Sequence, residues 1–385
     1  MKKKLLILLV AAVAVVSLVV VGCAPEAAPP PEEEEAPPEE EEAPPEEEEE
    51  AAPAAPAAKV YKLDWQDISP VGATAYVILE KLINRVQVAS DGRLDITLHP
   101  EGELCPRHET TPAVRDGAID IATNSSPMDL GRLGNVTYLM GSSGLPAGPS
   151  TADLLAWIYQ GGGLDILNEL YKDWGYCIGT EPGSAEVFCY SNKPLATAKD
   201  FKGLKFRTLG LWAEMVARYG AAVVMTPGGE LYQAVQTGVL DAFELGPPSY
   251  NWPHGFHEIL AYIGVPGIQS PGYTNNVLIN KDSWNSLPPD LQQLLKDEIE
   301  AMTAYGQLMW AEADSKAMAD YVAYGTTVFT VSEEFQAQIA AESRAFLEGY
   351  AVADPVFKKV WDHQVAFFKK WHSLTGIVPK YTIFD

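Results

Sequence analysis

The sequence predicts an α/β protein of two lobes carried behind an N-terminal tether. Three observations lead there. The chain has 385 residues and is 47% hydrophobic, enough for two cores at roughly 150 residues per domain. Two separate series of alternating strands and helices can be read, one opening at Tyr61 and the other at Val187. Near the C-terminus lies a helical stretch longer than one ordinary domain is wide.

The first 58 residues are an address and a spacer. Lys2-Lys3-Lys4 precedes Leu5–Val21, a 17-residue run with a single Ser. Val20-Val21-Gly22-Cys23 then resembles the bacterial lipobox, which makes 1–22 a signal peptide and Cys23 a lipidation site. An uncleaved anchor is the other reading, since about 20 apolar residues span a bilayer. Both place the remainder outside the cytoplasmic membrane, in the periplasm or at the cell surface. Residues 24–58 hold 14 glutamates and 10 of the 29 prolines, with no aromatic or β-branched residue. Such a segment cannot bury enough apolar surface to offset ordering. Proline and like-charge repulsion extend it, so 23–58 is expected to be a disordered stalk.

The charge of −25 comes partly from that stalk: without it and Lys2–Lys4, 24 basic and 38 acidic residues leave −14. No basic patch of the kind that neutralises phosphates is implied, which argues against nucleic acid. Four cysteines exclude a disulfide-stapled scaffold.

From Lys59 onward, Tyr61–Trp65 alternates like a strand and Ala73–Ala89 has helical periodicity. Asp91-Gly92 turns the chain into a strand, Leu94–Leu98. A helix at Thr110–Asp116 and a strand at Ile119–Ala122 complete a series that predicts βαβ crossovers and a mostly parallel sheet. The second series has strands at Val187–Tyr190, Lys205–Thr208, Ala222–Met225 and Leu240–Glu244, with helices at Trp212–Tyr219 and Glu230–Thr237.

Leu287-Pro288-Pro289-Asp290 places prolines at a helix start, where a missing N–H costs least. Leu291–Tyr324 then contains no Pro and only Gly306, until Gly325 supplies a stop. Some 36 residues make a rod of roughly 54 Å, against roughly 30–35 Å for a 150-residue domain. The rod is expected to cross between lobes unless Gly306 divides it.

Five segments in order resemble the TRAP-type (tripartite ATP-independent periplasmic) solute-binding proteins: Ser90–Leu94, Ala113–Asp120, Phe201–Arg207, Glu230–Ala242 and Leu278–Trp284. Trp157–Leu164, with its Gly161-Gly162-Gly163 triplet, is similar to the branch that binds 2-oxo and 2-hydroxy monocarboxylates with a metal ion. The triplet lacks the pattern of a phosphate loop. The resemblance implies a periplasmic-binding-protein-like fold: two α/β lobes, a ligand cleft, a lobe-spanning helix, and delivery of a small organic acid to membrane permease subunits. The expected divisions are 59–184 with 271–312 for lobe I, 185–270 with 313–350 for lobe II, and 351–385 for a helical tail.

Arg207 ends a predicted strand, where ligands of open α/β sheets bind, and its planar guanidinium suits a carboxylate. Glu244 ends another, against Leu245-Gly246-Pro247-Pro248. A carboxylate there repels an anionic ligand unless a hard cation, Ca2+ or Na+, bridges the two. The resemblance implies Glu244 and the Leu245 carbonyl as metal ligands. It also aligns Glu186 with the branch's amide ligand, so that Glu186 would touch metal and solute. Arg115 reads as solvated. Trp65, Trp212 and Tyr232 are candidates for the cleft wall but more simply core. His254 and His257 lack a helical zinc spacing because Pro253 and Gly255 intervene. Cys105, Cys177 and Cys189 admit one disulfide, Cys177–Cys189, or buried thiols.

The tail, Asp354–Ser373, reads as an amphipathic helix with Phe357, Trp361, Phe367, Phe368 and Trp371 crowded on it. It would pack on its own lobe or, as in the similar branch, exchange between subunits of a homodimer. No catalytic constellation appears. A transport receptor is therefore the leading function. An extracytoplasmic hydrolase or isomerase acting on small carboxylates and a sensory binding protein are the rivals.

Overall fold

The computed structural model describes residues 59–141 and 143–373. The expected signal peptide, Cys23 and stalk lie outside the described residues. In chain order the elements begin β1 (Tyr61–Gln66), α1 (Thr74–Ala89), β2 (Leu94–His99), α2 (Thr110–Arg115), β3 (Ile121–Asn124), α3 (Leu130–Leu133), α4 (Thr151–Gln160), α5 (Gly163–Leu170) and β4 (Tyr176–Pro182). The middle of the chain forms β5 (Cys189–Ser191), β6 (Lys205–Arg207), α6 (Gly210–Arg218), β7 (Ala222–Val223), α7 (Leu231–Gln236), β8 (Ala242–Phe243), α8 (Pro248–Asn251) and β9 (Tyr262–Val265). Then come β10 (Thr274–Ile279), α9 (Lys281–Ser286), α10 (Pro289–Tyr324), β11 (Thr327–Thr330), α11 (Glu333–Ala353) and α12 (Pro355–Trp371).

The strands form two sheets, ordered β2-β1-β3-β10-β4 and β11-β9-β5-β8-β6-β7. The expected mostly parallel pairing needs correction. β1 runs parallel to β2 and β3, but β10 is antiparallel to both β3 and β4. In the second sheet β6 is parallel to β7 and β8, and β9 to β11, while β5 opposes β8 and β9. β5, β10 and β11 each enter one sheet after the chain has left the other, and of these β5 and β10 do so without an intervening helix that spans the two. Such a strand arrives without a local helical crossover, so the rule that makes βαβ neighbours parallel does not fix its direction.

The first sheet packs its Trp65, Ile121 and Ile279 against Leu79, Leu82 and Val86 of α1 and Leu291, Leu295 and Ile299 of α10. The second buries Tyr190, Phe243, Phe256 and Ile263 with Leu231 of α7 and Tyr321 of α10. One helix thus supplies side chains to both cores. It is continuous over 36 residues, about 54 Å, as its length required. Its buried positions, including Leu291, Leu295, Ile299, Met302, Gly306, Trp310, Ala317 and Tyr321, recur every three or four residues or in a double step. Tyr305 and Leu308 lie off that stripe and are exposed.

Gly306 does not break the helix; it lets another strand approach. A Cβ there would stand 2.7 Å from Pro182 Cγ and 3.1 Å from Ile78 Cδ1. One turn on, Trp310 Nε1 donates to the Pro182 carbonyl at 2.8 Å. Gly306→Val is expected to lower stability by about 1–3 kcal/mol through overpacking, despite the poor helix propensity of glycine. An unchanged or higher melting temperature by calorimetry would contradict this close packing.

α12 begins where the sequence placed it, with the Asp354 carboxylate accepting from the Val356 and Phe357 amides. It returns over the same chain. Phe357 and Val360 are buried, Gln364 Nε2 donates to the Leu139 carbonyl at 2.7 Å, and Trp157 Nε1 donates to His363 Nδ1 at 3.1 Å. The Gly161-Gly162-Gly163 triplet serves this contact, since a Cβ on Gly161 would lie 2.7 Å from the Phe367 ring.

Candidate functional site

Phe206 is buried in β6 and anchors the strand, so Arg207 emerges at its carboxyl end beside Phe243 of the parallel strand β8. The next residue, Glu244, donates its amide to the Arg207 carbonyl at 3.2 Å. Strand register therefore sets the two side chains next to each other. Arg207 Nη1 donates to the Glu244 carbonyl at 2.6 Å and meets Glu244 Oε1 at 3.3 Å, while Nε donates to the Thr226 carbonyl at 3.2 Å. Both side chains are under one-tenth exposed. The guanidinium has five donors, and these contacts use Nε and Nη1, which leaves the two N–H bonds of Nη2 for other acceptors.

Glu186 comes from the other direction. It lies on the segment leading into β5, with its amide donating to the Ser270 carbonyl. Gly267 is pressed against it: an added Cβ would fall 1.8 Å from the Glu186 carbonyl oxygen. The Glu186 carboxyl lies within hydrogen-bonding reach of Glu244, and Gln269 Nε2 is 3.4 Å from its Oε2. Burial, and then the Glu244 charge, push the Glu186 carboxyl well above the usual carboxylate range. Burial also raises Glu244, against the pull of Arg207. Two buried carboxyls this close disfavour full charge on both, and a cation between them would relieve that repulsion. The structure brings Arg207, Glu244 and Glu186 into one cluster, with Leu245 following in half-buried surroundings.

Several other side chains belong elsewhere. Trp65 and Trp212 are fully buried in core, and the Tyr232 hydroxyl donates to Glu258 at 2.9 Å near the surface. Arg115 makes an exposed two-pronged pair with Asp116. His257 stacks on Trp252 and His254 on Phe256, so the two imidazoles serve separate ring contacts. Cys105, Cys177 and Cys189 are all free thiols; the considered Cys177–Cys189 bridge is absent because the two sit in different sheets, β4 and β5. Burial pushes the Cys177 thiol up to about 12.

Sequence reasoning missed a second buried polar group, at the carboxyl-end edge of the first sheet. Asp67, one residue beyond β1, and Glu181, near the end of β4, are buried there, with Asn275 and the ring of Tyr273 alongside. Asp67 had a usable signal: it directly follows a strand of the first βαβ series, the position that singled out Arg207.

Residues 66–352 match the family described as bacterial extracellular solute-binding protein, family 7. The monocarboxylate 2-oxoacid-binding periplasmic protein of a Nostoc species is 30% identical over 305 residues, covering 78% of this chain and 82% of that protein. The C4-dicarboxylate-binding periplasmic protein of Rhodobacter capsulatus is 28% identical over 263 residues, 67% of this chain and 74% of that protein. A TRAP transporter solute-binding protein from Bordetella bronchiseptica, with copurified calcium and picolinate, superposes with a TM-score of 0.72 at 23% identity over 82% of this chain and 95% of that chain. One from Colwellia psychrerythraea with bound calcium and pyruvate gives 0.72 and 23% over 83% of this chain and 98% of that one. The two structures share the fold of two α/β lobes. Members of the family are periplasmic receptors that bind small organic acids and work with membrane permeases; they are not enzymes. With the family pattern running from the first strand into the helix after β11, this chain belongs to family 7 of the bacterial extracellular solute-binding proteins, the receptors of TRAP-type transporters.

Proposed function

We propose that the protein is a lipid-anchored receptor for a small 2-oxo or 2-hydroxy monocarboxylate, held by Arg207 and by a Ca2+ or Na+ ion on Glu186, Glu244 and the Leu245 carbonyl. The observation that carries this is the buried Glu186–Glu244 pair beside Arg207. Two carboxylates and a carbonyl are hard oxygen donors, too few for the six to eight positions of Ca2+. The carboxylate and 2-oxygen of an oxo or hydroxy acid supply further positions, which ties ion to ligand. The 3.3 Å contact between Arg207 and Glu244 is long, so a ligand carboxylate can replace it while the cation takes over Glu244. The ligand named for the Nostoc relative is of the same class. Mass spectrometry and elemental analysis of protein purified without added solute are expected to release a 2-oxo or 2-hydroxy acid with about one equivalent of Ca2+ or Na+. Neither found, with full affinity for such acids after chelation, would overturn the bridging cation.

The anchor and the assembly belong to the same reading. Cys23→Ser is expected to move the protein from the membrane fraction to the soluble one; unchanged membrane association would remove lipid on Cys23. Val352, Val356 and Trp371 leave apolar surface exposed along α11 and α12, which favours a homodimer built on the tail. Light scattering of protein starting at Lys59 is expected to give a dimer at micromolar concentration, and a monomer would reject it.

A further inference from the structure

The carboxyl-end edge of the first sheet carries two buried acids that the cation site does not use. Asp67 is 0% exposed and Glu181 is 2% exposed. Each has one oxygen satisfied by the protein and one not. Asp67 Oδ1 accepts from the Ile68 amide at 2.7 Å and Glu181 Oε2 accepts from Asn275 Nδ2 at 3.0 Å. Asp67 Oδ2 and Glu181 Oε1 are buried and have no hydrogen-bond partner. The Thr123 and Ser69 hydroxyls lie near enough to soften the Asp67 charge without meeting hydrogen-bond geometry. A buried oxygen left unpaired costs about 1–3 kcal/mol, more when charged, so two together mark a place built for a donor.

Topology puts both at the ligand edge of the first sheet. β1 is parallel to β3, and β4 opposes β10, which itself opposes β3. β1 and β4 therefore run the same way, and Asp67 and Glu181 stand at their carboxyl ends. Tyr273 lies in the field of both Glu181 and Glu186, so the two acidic groups share it as a neighbour. Burial, and then the charge of Asp67, hold Glu181 well above the usual carboxylate range; burial pushes Asp67 up to about 6.

The two acidic groups differ in the cations at hand. On the Arg207 side, two carboxylates, one guanidinium, a divalent cation and a ligand carboxylate sum to zero. On the Asp67 side the nearby cation is Arg107, whose Nη1 is 3.7 Å from Glu101 and whose Nε has no partner. Burial favours a proton on this pair, and with Arg107 as the nearby cation a second positive charge is what would let both acids ionise.

We propose that the solute is a zwitterion, an oxo or hydroxy acid whose far end carries an ammonium or guanidinium group seated between Asp67 and Glu181. This rests on the organic-acid reading above and narrows it. An uncharged hydroxylated tail would satisfy the orphaned oxygens but leave the pair holding its proton, so the two kinds of tail are distinguished by the preference for a cation.

The test is calorimetry with ω-amino-2-hydroxy acids of three to six carbons, each against its ω-hydroxy counterpart, in Ca2+ buffer. At the best chain length the amino acid is expected to bind at least about tenfold tighter, as a close buried charge pair requires. Glu181→Gln and Asp67→Asn should each erase that preference by weakening the amino acid far more than its hydroxy counterpart. Arg207→Lys should instead weaken both members alike. Both amide variants are isosteric, and either one that folds suffices. Acids that bind with no amino preference, or a preference that survives in the amide variants, would overturn this inference and leave the receptor reading intact. If no acid of either series binds at millimolar concentration, the organic-acid reading falls and this one with it.

Discussion

Arg207→Ala is expected to weaken binding of the organic acid by about 30-fold to several thousand-fold, the consequence of losing roughly 2–5 kcal/mol when a hydrogen-bonded charge pair is broken in a buried site. Part of that loss is structural, since the same guanidinium holds the Glu244 and Thr226 carbonyls. Arg207→Lys separates the contributions. It keeps the positive charge but loses the planar donors, so the backbone contacts fail while the charge still faces the ligand. Calorimetry should place Lys between arginine and alanine. A loss of less than about threefold for alanine would remove Arg207 from the site.

Chelation should have a comparable effect. With EDTA and potassium buffer, Glu186 and Glu244 revert to holding a proton, and the anionic ligand meets uncompensated carboxyls; Ca2+ or Na+ should restore binding. Glu244→Gln should reproduce the weakening with the fold intact. The same pair fixes the pH dependence. Both carboxyls have folded pKa values raised above their unfolded ones, so their contribution favours the folded state at low pH. It is lost as pH rises through the raised values. Metal-free protein should therefore melt lower as pH climbs above the ordinary carboxylate range, and the gain in melting temperature on adding Ca2+ should grow with it. A Ca2+ effect that is flat with pH would reject Glu186 and Glu244 as its ligands.

How much of this was visible beforehand depended on whether a residue's role is local. α10 was legible because a run without Pro, and with only one Gly, has few alternatives to a helix. Arg207 and Glu244 were legible because each stands at a strand end, and a strand end is a place. β4 and β10 were not. Thr274–Ile279 is buried at every position, including Asn275 and Asn276, so it carries no alternation to read. Its antiparallel direction depends on β3 and β4, which lie some ninety residues or more upstream. Glu186 came only from the family resemblance, because nothing around it marks a strand end; its place is set by Ser270 and Gly267, some 80 residues later. Asp67 and Glu181 were overlooked for a related reason: a buried acid shows itself only when its neighbours are known.

The helix α10 has a consequence for how the molecule comes apart. Its first half completes one core and Tyr321 completes the other, while β10 returns to the first sheet only after the second is nearly built. No single cut of the polypeptide yields a segment containing everything either lobe needs. Loosening one half frays a beam on which the other is built. The lobes should accordingly melt in one calorimetric transition, and neither should be recoverable as a separately expressed fragment, although each has a sheet and a hydrophobic interior of its own.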